Sequence, residues 1–277
     1  LHLGDIHSPI DLGTFTDCLH GHDLKAKLAF TLGWQLPHSI DVRNPLFADA
    51  VYRGDRILLE SILHADARGL PVLESFEFQL SRNGDVTLFA KHGVDQNGKV
   101  YLEVTPLDLV KTPGQAWPLE APEKFYRFSD ATLARYQNAA SLMQFSLETE
   151  RLLAGLTYLG PLREPPKRTH SWAGDTVPDV GQRGEFAIPA LLAAAQEERK
   201  LNRGHKKRTM RFDKFIASWL HDLGVIDSFV VRPVAKGRND FEVLVRTHRN
   251  SPEVKLTDVG LGVSQVLPAL VQAFYAP

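Results

Sequence analysis

The segment with the clearest chemical potential is Thr257-Asp258-Val259-Gly260-Leu261-Gly262-Val263-Ser264-Gln265-Val266-Leu267. Gly260 and Gly262 make a flexible turn directly before an apolar helix. Ser264 and Gln265 fall in that helix's first turn. Unpaired backbone N–H groups, a hydroxyl and an amide, all pointing one way at the positive end of a helix dipole, make a place for an anion. Ordinary glycine loops before helices share this spacing, so it leaves both readings open.

A second segment runs Tyr158-Leu159-Gly160-Pro161-Leu162-Arg163, then Lys167-Arg168, then Asp179-Val180-Gly181-Gln182-Arg183-Gly184-Glu185. Arg163 follows a Gly-Pro stop and on its own reads as a surface arginine paired with Glu164 or Glu185. Gly93-Val94-Asp95-Gln96-Asn97-Gly98-Lys99-Val100 almost satisfies the phosphate-loop pattern G-x-x-x-x-G-K-[ST]. Val100 has no hydroxyl for Mg²⁺, and Val100-Tyr101-Leu102-Glu103-Val104 reads as a strand where that motif needs a helix. A hairpin turn is expected there instead. His2, His7, His20 and His22 crowd the start, but further ligands for a metal are missing. Arg199 to Arg211 carries seven cations and no acid. That is either a phosphate-contacting patch or a solvated loop offset by Glu197 and Glu198.

Taken together, Tyr-Leu-Gly-Pro-Leu-Arg, Asp-Val-Gly-x-x-Gly-Glu and Asp-Val-Gly-Leu-Gly-Val-Ser-Gln-Val-Leu-Pro resemble one family: the AAA/ABC-type ATPases related to RecF, the SMC heads and the ATPase half of OLD nucleases. Asp11-Leu12-Gly13-Thr14-Phe15 and His20-Gly21-His22-Asp23 resemble the stretch after that family's Walker A helix. The resemblance implies a signature motif at Gly260, Gly262, Ser264 and Gln265, contacting the γ-phosphate of ATP bound by a second copy of the head. It places Arg163 where a Q-loop lies, near Mg²⁺ and the attacking water. The motif departs from Leu-Ser-Gly-Gly-Gln by displacing the hydroxyl to Ser264. The resemblance implies ATP and Mg²⁺ as cofactors, a second head as partner, and a nucleic-acid or nuclease partner in DNA repair, processing or anti-phage defence. No Walker A motif and no apolar run ending in Asp-Glu occurs, and both are expected outside this chain. The alternatives are a nucleotide-gated binding module with little hydrolysis, and a structural β/α domain.

These residues need elements to hold them. Residues 1–128 read as a strand-rich antiparallel lobe. Lys27 to Gln35, Arg56 to Leu63 and Glu74 to Val104 are strand-like, and Asn83-Gly84 and Asn97-Gly98 mark hairpin turns. Residues 129–277 read as helical arm, hairpin and signature helix. Ser129 caps a helix running towards Leu153, Thr157-Tyr158-Leu159 is a short buried strand, and Gly184 to Leu201 and Phe212 to Leu223 are helices. Ser228 to Val234 and Phe241 to Thr247 are strands before a last helix from about Val263 to Phe274. The fold class expected is mixed α/β, an ABC-ATPase-head-like fragment with a β-meander lobe and a helical insert.

Composition bounds the rest. The 277 residues are 43% hydrophobic and 23% charged, with a net charge of -1, so bulk charge points to no polyanion. One cysteine, Cys18, excludes an internal disulfide and a cysteine-based zinc site. No apolar run approaches the roughly 20 residues of a membrane span, and the cytoplasm is the expected compartment. The chain starts at Leu1 and stops at Pro277 after an apolar run, which reads as an internal piece of a longer protein.

Overall fold

The computed structural model describes residues 3–4, 8, 10–44, 46–47, 50–114, 117–260 and 262–275. His2, His7 and Leu261 lie outside the described residues. The chain is mixed α/β and divides into two compact units, 1–156 and 157–277.

The first unit is built on a five-stranded antiparallel meander: β1 (Leu28–Arg43), β2 (Val51–Ala65), β3 (Pro71–Arg82), β4 (Asp85–Val94) and β5 (Val100–Thr105). Alternation sorts its faces. Ile57, Leu59, Phe76, Phe78, Leu80, Leu88 and Ala90 are buried, while Glu60, Glu77, Gln79 and Lys91 line the other face. Asn83 and Gly84 take φ 53° and 94°, the two left-handed residues of a type I′ turn. The turn at Asn97-Gly98 is built differently. Asp95 accepts the Asn97 and Lys99 N–H groups at 2.8 and 2.9 Å, and Gly98 takes φ 76°. The 66–70 turn repeats this plan with Asp66 and Gly69. Lys99 therefore closes a hairpin into β5, and the phosphate-loop resemblance has no helix to serve it.

The meander's buried face is covered by α1 (Asp130–Ala134), α2 (Ala140–Ala154) and the chain before them. Ser129 caps α1 as expected, its hydroxyl accepting the Thr132 N–H at 3.1 Å. The single helix expected to reach Leu153 is broken. Asn138 instead bonds the Val110 N–H and the Asp108 carbonyl, and the Gln137 N–H goes to Val110, so the backbone leaves the helical path. Phe145 of α2 stacks on Phe78 at 4.9 Å, and Phe128 meets Phe76 at 4.9 Å. These contacts tie residues 129–156 to the meander. The division falls after Leu156 rather than at the 128/129 boundary expected from the change of period.

The second unit holds β6 (His170–Ser171), α3 (Ala187–Gln196), β7 (Lys200–Leu201), β8 (Met210–Arg211), α4 (Phe212–Asp222), β9 (Ser228–Pro233), β10 (Asp240–Arg246), β11 (Val254–Lys255) and α5 (Gly262–Tyr275). β10 pairs with β9 along one edge and with β6 and β11 along the other, all antiparallel. The helices α3, α4 and α5 pack on one another around Leu191, Phe215, Ile216, Leu267 and Val271. Three expectations are corrected here. Thr157 and Tyr158 are exposed and irregular: among the described residues the chain here makes the Gly160 N–H to Gln182 and Glu164 N–H to Arg183 backbone bonds rather than a strand ladder. α3 starts at Ala187, since Gly181 and Gly184 take φ 80° and 77°, and it stops at Gln196, with Glu198 at φ 51° turning the chain into β7.

Replacing Phe145 with Ala removes the ring stacked on Phe78 and leaves a cavity under the meander. The expected cost is about 3–5 kcal/mol, measured as the lowered urea midpoint of the first unit's unfolding transition.

Candidate functional site

α5 is the spine of the second unit. Val263, Ser264, Leu267, Pro268, Val271 and Tyr275 are buried, a stripe at helical spacing, while Gly262, Gln265 and Ala269 face out. The helix holds the 177–184 segment at three points. The Gln272 side-chain oxygen accepts the Val180 N–H at 3.0 Å. The Tyr275 hydroxyl donates to the Val177 carbonyl at 2.9 Å. At the N-terminal side of these, Gly184 approaches Pro268 so closely that a Cβ on it would lie 2.5 Å from the Pro268 Cβ. With φ 77°, that position requires glycine on two counts. Two of the segments singled out in the sequence, Asp179–Glu185 and Asp258–Pro268, thus converge.

The two ends of α5 differ electrostatically. At the C-terminal end Arg199 donates to the Phe274 and Tyr275 carbonyls at 3.0 and 2.6 Å, so a guanidinium neutralises the negative pole. At the N-terminal end there is no acidic residue in the first turn. Gly260 and Gly262 are exposed, with nothing within 4 Å of where a Cβ would sit. Asp258, the nearest acid before the turn, faces Arg168 at 3.7 Å. The positive pole is left to solvent.

The expected convergence of Ser264 and Gln265 on one point does not occur. Successive helical residues diverge by about 100°, and here Ser264 turns inward while Gln265 is exposed. Ser264 lines a cleft with Glu164, Pro165, Pro166, Lys167, His170, Glu185 and Leu256. The cleft has room for only about 40 Å³ of water centres, far below the several hundred Å³ of a small-ligand pocket. It does not itself house a nucleotide.

Around it, Glu164 pairs with Lys167 at 3.1 Å and with Arg183 at 3.6 Å. The Glu185 carboxylate accepts the Arg183 N–H at 2.8 Å. Neither acid pairs with Arg163, against the ordinary expectation. Arg163 Nε and Nη1 are buried without a hydrogen-bond partner, and the side-chain stem runs past Gly184. Burial, helped by Lys167, pushes His170 down to about 4, so it is neutral in the fold.

No protein-family model, curated protein or solved structure matches the chain. The site is therefore described by its own geometry.

Among the described residues no group of three or more His, Cys, Asp or Glu side chains is placed to hold a metal ion. His22 instead has its ring nitrogen 3.3 Å from the Thr16 carbonyl. The basic segment is also reorganised. Three of its seven cations have internal partners: Arg199 on α5, Arg203 with Asp222, and Arg211 with Asp213. Sequence reasoning singled out Lys167 but missed His170 at the cleft. A lone histidine in a Pro-rich loop carries no periodic signal. No helix of the described residues is long and apolar enough to cross a membrane.

His170 carries a pH prediction. Its folded pKa lies below the ordinary 6.5, so the unfolded chain takes up a proton that the fold refuses. Stability is retained above pH 6.5 and falls as pH drops from 6.5 towards 4. His92, buried in the first unit and also lowered mainly by burial, has the same sign. Thermal melts of His170→Asn should show a smaller loss across that window than the unaltered chain, and equal slopes would refute the assignment.

Proposed function

We propose that this chain is part of an ABC/AAA-type ATPase head whose 260–265 turn meets the terminal phosphate of ATP held by a second copy. One observation carries the reading. The 14-residue α5 is anchored along its length and charge-neutralised at its C-terminal end, while its N-terminal end is open, glycine-rich and free of acid. A helix end of that kind favours an anion brought from outside the unit. The resemblance of Asp258 to Pro268 to the signature segment of such ATPases supplies the identity of that anion.

In this reading the backbone N–H groups at Gly260 and Gly262 and the exposed Gln265 amide face the phosphate. Ser264 supports the turn from inside, through its place at the cleft. Pro268 has no N–H to offer the Ser264 carbonyl, so this first turn lacks one ordinary helical bond and has freedom to adjust. Arg163 stands by the neighbouring segment as a positioning cation. Mg²⁺ and the Walker residues would come from parts of the protein beyond this chain, and bound Mg²⁺ would neutralise charge on the phosphates.

The test uses the intact protein. Gly262→Glu places a carboxylate in open space facing the phosphate, so the fold should survive. ATP turnover is expected to drop by about 10²–10³, the usual size of a lost transition-state contact. ATP-driven dimerisation should be lost by sedimentation, with monomer ATP binding retained. Normal turnover would remove the trans-acting role. Binding and dimerisation without turnover in the unaltered protein would point to a nucleotide-gated module. Ser264→Arg, by contrast, forces a cation into the buried side and is expected to lower stability itself. The 277-residue chain alone is expected to show no Mg²⁺-dependent ATP hydrolysis.

A further inference from the structure

We propose that the hairpin formed by β7, β8 and the loop between them is a docking surface for the phosphate backbone of double-stranded nucleic acid, bound without regard to base sequence. This surface is independent of the ATPase reading, since it lies on another part of the second unit and needs no nucleotide.

The segment from Arg199 to Arg211 holds seven cations and no acid. The structure divides them by role. Arg199 sits over the rings of Phe212 and Tyr275 at 5.5 and 5.7 Å while bonding the end of α5. Arg203 lies 4.0 Å above the Trp219 ring and pairs with Asp222 of α4. These two fasten the hairpin to α4 and α5. Arg211 pairs with Asp213 at 3.3 Å. The four that remain, Lys200, Lys206, Lys207 and Arg208, are exposed and form no ion pair among the described residues. Three of them are consecutive at the tip.

The tip's backbone is unusual as well. Lys206 takes φ 61°, a conformation L side chains rarely adopt, two residues after Gly204 at φ 123°. Such a residue persists only where the surroundings hold it, and here the base of the hairpin is fixed by Arg199 and Arg203. The lysine run is therefore presented from an anchored hairpin.

The side chains around these cations select the partner. Residues 202–209 are Asn, Arg, Gly, His, Lys, Lys, Arg and Thr. None is an apolar wedge that would enter a lipid surface. There is no Phe, Tyr or Trp to stack an unpaired base, which single-strand binders use. What is left is point charge and hydrogen-bond donors, the means of reading a duplex backbone. With a net charge of -1 the whole molecule adds no long-range attraction, so binding rests on this local patch and is sensitive to salt.

The experiment is fluorescence anisotropy of the 277-residue chain with a labelled duplex of about 25 base pairs, as DNA and as RNA, between about 50 and 200 mM KCl. Binding in the range of about 10⁻⁴–10⁻⁶ M is expected, equal for two unrelated sequences. The slope of log K against log salt should be about -3 to -4, from four cations at about 0.9 each. The triple variant Lys206→Ala, Lys207→Ala, Arg208→Ala should lower the magnitude of that slope by about 3 and weaken binding at least tenfold. Circular dichroism should be unchanged. Lys236→Ala with Arg238→Ala, at the exposed turn between β9 and β10, should change neither. Tighter binding of one duplex type identifies the source and leaves the surface standing. Equal losses in the triple and control variants would overturn it. So would full binding by the triple variant, or capture of phosphatidylserine vesicles or polyglutamate with no duplex binding.

Discussion

The closeness of Gly184 to Pro268 governs the second unit. No side chain fits between the 181–184 loop and α5, so the loop lies directly on the helix, and the Gln272 and Tyr275 bonds fix its other points. Much else follows from that contact. The loop's left-handed glycines delay α3 until Ala187, where its apolar run meets α5 and α4. Arg163 is carried past the same contact, its Nε and Nη1 withdrawn from water. Ser264 is turned towards the cleft whose walls are the 164–170 stretch and Glu185. An alanine at 184 would be refused both by Pro268 and by φ, so the constraint belongs to the sequence as much as to the fold.

The first unit obeys a different economy. Its strands are local in sequence, each paired with the next, and the connections are set by side chains as much as by glycines. Asp66 and Asp95 each accept two backbone N–H groups across a turn closed by Gly69 or Gly98. The Phe76, Phe78, Phe128 and Phe145 rings then seal one face. His92 joins them with Nδ1–H donating to the Tyr101 carbonyl. Burial in this aromatic layer pushes the His92 pKa down, against the backbone carbonyls that favour its protonated form.

How much of this was legible depended on range. Asn83-Gly84 declared its turn because the requirement is local. The alternation of Phe76, Phe78 and Leu80 declared the meander for the same reason. The break at 135–139 was not legible, because Asn138 leaves the helix to bond residues 108 and 110, nearly thirty positions away. The inward turn of Ser264 was legible in part. It lies four residues before Pro268 and seven before Val271, on the stripe that packs inside, while Gln265 lies one step round. Reading unpaired donors without following the apolar stripe merged the two. The roles of Arg199 and Arg203 depend on Tyr275 and Trp219, which spacing alone does not bring near.

The same residue type thus does opposite work within a short stretch. A guanidinium has a planar face and a fork of donors, and Arg199 and Arg203 use both, lying over aromatic rings while bonding a helix end or a carboxylate. A lysine ammonium has neither feature and is more strongly hydrated. Lys200, Lys206 and Lys207 accordingly stay in water. Arg208 joins them, exposed and with no ring contact or ion pair among the described residues. The division leaves α5 with its C-terminal carbonyls capped from the base of a cationic hairpin and its glycine-rich N-terminal end exposed. A rigid helix of 14 residues spans about 21 Å at 1.5 Å per residue. Charge placed at an end acts on the dipole within that end's turn, and Arg199 belongs both to the hairpin's base and to the C-terminal end of that helix.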